Sequence, residues 1–264
     1  MATDVILPAV LEVLATTEKI FKQFGIDFYL VGALARDLHL SVNPTFTPRR
    51  KTRDIDIAIL IADESLFYAI KEAMINSGDF SAHETETIKL IYKHSIEIDL
   101  LPFGGIENEL RETHLHKPRL FIMDVPGLQE AYVDIEEIQL ENNIKLKVCS
   151  LEALVLLKII ANDDNPARTK DLTDIEHIIS VYFELNADKI YTDQLEIMDL
   201  YDTDDNDYLK LVSARAIGRH IGELLLNSVD LRKRVVNILR RKTSAPFYHA
   251  IEEGIIDVTG DTLT

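Results

Sequence analysis

Two aspartates two residues apart, Asp54 and Asp56, interrupt the isoleucine-rich run "KTRDIDIAIL" from Lys51 to Leu60. Side chains alternate faces along a strand, so Asp54 and Asp56 share one face with Cα atoms roughly 6–7 Å apart. Ile55, Ile57 and Ile59 share the other. The run "SIEIDLLPF" repeats the device, with Glu97 and Asp99 on one face and Ile96, Ile98 and Leu100 on the other. A carboxylate facing an apolar interior is costly unless something neutralises it. If the two strands are neighbours, three or four carboxylates converge, and they repel unless cations bridge them. Hard oxygen donors of this kind suit Mg²⁺, which completes its octahedron with water and substrate phosphates. Two such ions a few Å apart form the clamp used for in-line phosphoryl displacement. For an isolated D-x-D the alternative is a solvated sheet face, since antiparallel sheets often have a wet side.

The elements that must position these groups are legible nearby. "YLVGALARD" reads as a strand running through Gly32 into a helix. Such a turn aims free backbone N–H groups and the positive end of the helix dipole at an anion above it. Gly32 lets a phosphate approach the backbone closely. "RRKTR" sets Arg49, Arg50, Lys51 and Arg53 directly before the D-x-D strand, as either a phosphate grip or a solvated loop. Arg36 and Asp37, one helical turn past Gly32, read as a pair that braces the fold. Lys158 sits among apolar helical residues in "LEALVLLKIIA", where it either snorkels outward or reaches into a cleft between halves of the chain.

The rest of the chain divides in two. Pro8 to Phe24 has helical periodicity and Gly25 closes it. "ADESLFYAIKEAMINSG" is a helix. "TIKLIYK", "RLFIMD", and the pair "AYVDIEEIQL" and "IKLKVC" joined by Asn142-Asn143 read as strands. After Cys149 helical periodicity dominates. "KDLTDIEHIISVYFEL", "YLKLVSARAIGRHIGELLL" and "LRKRVVNILRRK" are amphipathic, and Ser150 is a candidate N-cap. The expected organisation is an α/β (α+β) catalytic domain over 1–149 with a mixed sheet, then an α-helical domain over 150–264 that closes the cleft.

Composition bounds the function. The chain has 264 residues, 47% of them hydrophobic, enough for one large core or two modest ones. Its charge of −17 argues against binding nucleic acid over the whole surface, but not against a local basic groove. Arg232, Lys233, Arg234, Arg240, Arg241 and Lys242 offer such a patch or an exposed helix face. A single cysteine, Cys149, excludes an internal disulfide and fits a reducing compartment. The N-terminus lacks a basic n-region, and no apolar run reaches membrane-spanning length. The expectation is a cytoplasmic protein with no membrane partner. "DTDDNDYLKLVS" imitates a calcium loop but has Asp207 at the glycine position and Ser213 at the terminal glutamate, so it reads as an acidic helix start. His114 and His116 lack a third metal ligand.

"LVGALARD", "TRDIDI" and "IEIDLLPF" together resemble the nucleotidyltransferase fold of the DNA polymerase β superfamily. The first two also look like the head motif of CCA-adding enzymes. The third, with "LEALVLLKIIA…ARTKDLTDIEHII", looks more like AbiEii-type and related minimal nucleotidyltransferases. The resemblance covers roughly residues 26–180. It implies that Asp54, Asp56 and Asp99 hold two Mg²⁺ ions and form the catalytic centre, and that Gly32 and Ala33 contact the triphosphate. It further implies nucleotide contacts from Arg53, Lys158, Arg168 and Lys170. Ala33 stands where the family has Gly or Ser, so a hydroxyl contact is lost while the backbone N–H remains. The segment between Gly32 and Asp54 is longer than usual, and no RNA-binding tail of the CCA-adding kind follows.

The expected activity is transfer of NMP from an NTP to a hydroxyl acceptor. The resemblance allows an RNA or tRNA 3′ end, as for a toxin with an antitoxin partner. A small hydroxylated cation such as an aminoglycoside fits the acidic surface. A non-catalytic nucleotide- or partner-binding protein of the same fold is the third class.

Overall fold

The computed structural model describes residues 8–41, 54–124, 126–140, 144–242 and 246–260. It divides into two compact units, Met1–Ser150 and Leu151–Thr264.

In the first unit α1 (Pro8–Phe24) buries Val10, Val13, Leu14, Thr17, Ile20 and Phe21 along one face. Gly25, at φ +66°, ends it: its N–H donates to Lys22 O and the Ile26 N–H to Phe21 O. That is a Schellman closure, which a residue without a Cβ adopts most readily. β1 (Phe28–Val31) runs directly into α2 (Gly32–Ser41). β2 (Asp54–Leu60) follows, then α3 (Glu64–Asn76), whose first turn is capped by Asp63 accepting from Leu66 N at 2.9 Å. β3 (Phe80–Ala82), β4 (Lys89–Tyr92) and β5 (Ile96–Phe103) come next. β6 (Glu112–Leu115) and β7 (Phe121–Asp124) form a separate two-stranded sheet. α4 (Leu128–Tyr132), β8 (Ile135–Gln139) and β9 (Lys145–Cys149) complete the unit.

The main sheet has seven strands in the order β3-β4-β5-β2-β1-β9-β8. It is mixed, as expected: β2 pairs parallel with β5 and antiparallel with β1, while β1 pairs parallel with β9. Ile55, Ile57, Ile59, Ile98 and Leu100 are all buried to 1% exposure or less. Burying each such side chain stabilises the fold by about 1.5–3 kcal/mol, which fixes the face each strand presents.

Several short elements depart from the sequence reading. The run "AYVDIEEIQL" is not all strand: Ala131 and Tyr132 end α4, and β8 starts at Ile135. Burial of Leu128 and Ala131, and donation of the Tyr132 hydroxyl to Asp27 Oδ2 at 2.6 Å, outweigh the local β pattern. β3 was not anticipated, because three residues carry no readable alternation. Asn142-Asn143 lie outside the described residues.

The second unit is helical: α5 (Leu151–Asp164), α6 (Thr169–Asp193), a 3-10 turn (Leu195–Leu200), α7 (Tyr208–Leu224), α8 (Val229–Arg241) and α9 (Pro246–Thr259). α7 and α9 pack backbone to backbone. A Cβ on Gly218 would stand 2.2 Å from Ile251 O, and one on Gly254 would stand 2.2 Å from Arg215 O. The acidic stretch before α7 forms turns rather than helix, with Asp202 and Asp205 accepting from Asp204 N and Asp207 N.

Candidate functional site

Strand pairing brings the carboxylates together. On the parallel β2–β5 pair Asp54 lies opposite Glu97 and Asp56 opposite Asp99. Directly opposed residues point to the same face, so all four side chains leave the sheet on one side. Val31, the last residue of β1, lies opposite Asp56, so α2 begins at this point of the sheet. Gly32 holds φ at +68°, and a Cβ built on it would lie 2.0 Å from Asp56 Oδ2. Only glycine fits between the corner and that carboxylate.

Burial differs along the patch. Asp54 is exposed, while Asp56 and Asp99 are half-buried. Asp99 Oδ1 is fully buried and has no hydrogen-bond partner. Burial pushes the Asp99 carboxyl above its usual range; Lys89 pulls it down, and Glu86, Glu97 and Asp54 push it up. Among the described residues no three His, Cys, Asp or Glu side chains stand close enough to grip one ion as placed. Asp56 and Asp99 form the adjacent pair, and Asp54 is one pleat along on the same face. All the donors are hard oxygens, the ligand type that suits Mg²⁺, and Asp99 Oδ1 is buried without a hydrogen bond.

Lys89 is the neighbour that sequence reasoning missed. It lies opposite Asp99 on the antiparallel β4–β5 pair. Its Nζ is 2.5 Å from Glu97 Oε2, 3.7 Å from Asp99 Oδ1 and 3.8 Å from Glu86 Oε2. The hydrogen bond to Glu97 raises the proton affinity of Lys89 and lowers that of Glu97, so both partners report the same charged pair. The tight turn "KHS" carried the signal. Pairing Tyr92 with Ile96 across it aligns Lys89 with Asp99 three steps further on.

The other expected site residues fall as follows. Ala33 is the second residue of α2 and half-buried. Arg53 lies outside the described residues, as do Arg49, Arg50 and Lys51. In the helical unit Lys158 is buried, with Nζ 3.1 Å from Asp171 Oδ1 and 2.7 Å from Asp174 Oδ2. Arg168 Nε reaches Asp171 Oδ2 at 2.7 Å, so Lys158 and Arg168 share one buried carboxylate. Lys170 is exposed. Asp174 was missed, although its spacing of three from Asp171 puts both on one helix face. Arg36 and Asp37 form a buried pair at 2.6 Å, the bracing role expected.

The C-terminal basic residues are largely committed to their own unit. Arg232 is buried and donates to Leu225 O and Leu226 O. Arg234 pairs with Asp164, Arg241 with Asp163 and Arg240 with Glu252. Lys242 donates to Asn162 Oδ1. His114 and His116 engage Glu112 and Glu64, both at 2.9 Å.

A groove of about 560 Å³ between α1 and β8–β9 is lined by Leu11, Leu14, Ile26, Leu30, Leu146 and Lys147, among others. Leu30 lies opposite Ile57, so the groove opens on the sheet face away from the carboxylates. Among the described residues no helix is long and apolar enough to cross a membrane.

A family model described as nucleotidyl transferase AbiEii toxin, type IV toxin–antitoxin system, matches residues 18–247. Comparison with curated proteins returned no match. Among solved structures the chain is similar to the antibiotic-resistance factor ANT(2'')-Ia, at 13% identity and TM-score 0.41, over 81% of this chain and 94% of that one. It is similar to an antigenic nucleotidyltransferase-like protein of Paracoccidioides brasiliensis, at 18% identity and TM-score 0.44, over 67% and 78%. The CD-NTase CdnG of Bradyrhizobium diazoefficiens, in complex with GTP, matches at 13% identity and TM-score 0.30, over 98% and 88%. These likenesses are too distant to assign a substrate.

Proposed function

The chain belongs to the AbiEii nucleotidyl transferase family and is a nucleotidyltransferase; we propose that it moves NMP from an NTP to the 3′ hydroxyl of an RNA, with Asp54, Asp56 and Asp99 as its catalytic carboxylates. The observation that carries the site assignment is the register that sets Asp56 beside Asp99 with Gly32 against Asp56.

In this reading the backbone N–H groups at Gly32 and Ala33 receive the triphosphate at the start of α2, where the helix dipole favours an anion. Asp54, Asp56 and Asp99 are the residues that would hold Mg²⁺, two ions in the family pattern, which would supply charge stabilisation for the transferred phosphoryl group. The acceptor oxygen attacks the α-phosphorus, the bond to the bridging oxygen breaks, and pyrophosphate leaves. The Asp99 carboxylate, whose proton affinity burial raises, receives the hydroxyl proton. Arg53, directly before the D-x-D strand, is assigned to the nucleotide; within the helical unit Lys158 is committed to Asp171 and Asp174, and Arg168 to Asp171. Most of the rate enhancement then comes from positioning and electrostatics. The family's description supports a toxin role, with an antitoxin as partner.

A second acceptor class is favoured by one observation. Arg234, Arg240 and Arg241 of α8 are engaged by Asp164, Glu252 and Asp163 within their own unit, which leaves them less able to grip an RNA backbone. A cationic hydroxylated small molecule such as an aminoglycoside suits a chain of charge −17. Incubation with labelled NTP, Mg²⁺ and total RNA, with and without an aminoglycoside, separates the two. Label in RNA supports the first reading, and label only with added drug supports the second. Nucleotide-dependent thermal stabilisation without any transfer rejects both.

A further inference from the structure

Three large apolar side chains on or beside the ribbon β6–β7 stand open to solvent: Leu110 is 75% exposed, Leu120 57% and Ile122 51%. Register fixes the ribbon's faces. Thr113 and Leu115 are buried, and Thr113 Oγ1 donates to Pro102 O at 3.1 Å, so this face packs on the first unit. Met123 and Phe121 lie opposite them and share that face. Ile122, opposite His114, and Asp124, opposite Glu112, share the outer face. Among the described residues β7 has a strand neighbour on one side only, β6. An apolar edge strand is a template for pairing with another chain. Charge is also sorted along the ribbon. The end where β6 starts and β7 stops carries Glu109, Glu112 and Asp124, whereas the loop end carries the exposed Lys117 and Arg119. Arg119 donates to the neutral carbonyl of Thr85, a contact that leaves its charge in place.

We propose that β7 is a self-association edge, on which a second copy of this chain docks antiparallel and joins the two ribbons into one continuous sheet. A two-fold axis perpendicular to that sheet keeps the outer faces together and sets same-face residues opposite one another. Centred on Ile122, the register sets Ile122 against Ile122 of the second copy, Phe121 against Met123, and Leu120 against Asp124. Arg119 then lies next to Asp124 of the second copy at each end. The two Asp124 residues fall four steps apart along the strands, about 13 Å, beyond the Debye length of about 8 Å. A ribbon of one charge sign would repel its own copy; one acidic at one end and basic at the other attracts it, and only when antiparallel. β7 has four residues, so the contact is smaller than a standard interface and the dimer exchanges with monomer.

Sedimentation velocity of the full chain at rising concentration tests this without reference to turnover. The wild type is expected to shift from monomer to dimer; a monomer at every concentration overturns the proposal. Ile122→Lys is expected to lose the dimer at an unchanged melting temperature, and a dimer that persists in it overturns the assignment to β7. Asp124→Arg and Arg119→Asp are each expected to weaken association, since each brings like charges together. An equimolar mixture of the two is expected to restore it, because every facing pair is again of opposite sign. A mixture no better than either variant overturns the antiparallel arrangement. Ile122→Cys is expected to give a disulfide-linked dimer on air oxidation, because directly opposed Cα atoms about 4.5–5.5 Å apart suit that bond. The native Cys149 is buried and does not compete. Leu110→Cys, more exposed but off the strand, is expected to stay monomeric on a non-reducing gel, and equal crosslinking of the two variants overturns the register.

Discussion

Gly32 and Asp56 occupy touching volumes: a Cβ on the glycine would stand 2.0 Å from the aspartate's Oδ2 and 2.9 Å from its Cγ. The corner and the carboxylate are thus parts of one arrangement, fixed by the register that sets Val31 opposite Asp56. Gly32→Ala adds a methyl group where the carboxylate lies and holds it at φ +68°, a conformation costing an L-residue about 1–2 kcal/mol. The expected result is a small drop in melting temperature and a loss of nucleotidyl transfer of at least about tenfold, corresponding to about 1.4 kcal/mol of transition-state stabilisation. Melting curves alongside a transfer assay check it; full activity would show that the Asp56 position is not critical.

Asp99 is half-buried with its proton affinity raised by burial. Replacing it with the neutral isostere removes an unfavourable charge. Asp99→Asn is therefore expected to abolish transfer while leaving the midpoint of urea denaturation unchanged or higher. A large loss of stability would mean that Asp99 is structural.

Lys158 is buried between Asp171 and Asp174. Removing one partner of such a group leaves uncompensated buried charge, at a cost of about 3–5 kcal/mol. Lys158→Met is expected to destabilise the chain by that order, whereas Lys158→Met with Asp174→Asn recovers part of the loss. Equilibrium denaturation of the single and double variants measures the coupling.

Asp257 accepts from Arg215 and Arg219, at 2.8–2.9 Å. Burial raises its proton affinity, but the two guanidinium groups outweigh burial and hold the carboxyl below the usual range. A depressed folded-state value adds stability above the ordinary aspartate value of about 3.9, and that stability is lost as the pH falls through the folded value. Asp257→Asn should thus cost about 1 kcal/mol at neutral pH. Its difference from the wild type should vanish in acid, as read from denaturation midpoints across the range.

The carboxylate faces were readable because Ile55, Ile57, Ile59, Ile98 and Leu100 had to be buried, and burial of alternate residues fixes the direction of the rest. The glycine corner was readable because the apolar run Phe28–Val31 passes through Gly32 straight into a helical pattern. Lys89 was not read, since its role depends on which strand neighbours β5. The partners of Arg234 and Arg241, Asp164 and Asp163, lie about 70–80 residues earlier in the chain, a distance that local charge patterns do not bridge. The last two residues of helix α4 opened a β-like run because packing of Leu128 and Ala131, rather than propensity, decided them.

The most direct test of the central claim is transfer from α-³²P-labelled NTP to total RNA in the presence of Mg²⁺, with the wild type and Asp56→Asn compared at equal folded concentration. The wild type is expected to label RNA and the variant to label none, with the two proteins equally stable. Transfer by Asp56→Asn at the wild-type rate would contradict the assignment of this carboxylate pair as the reacting centre.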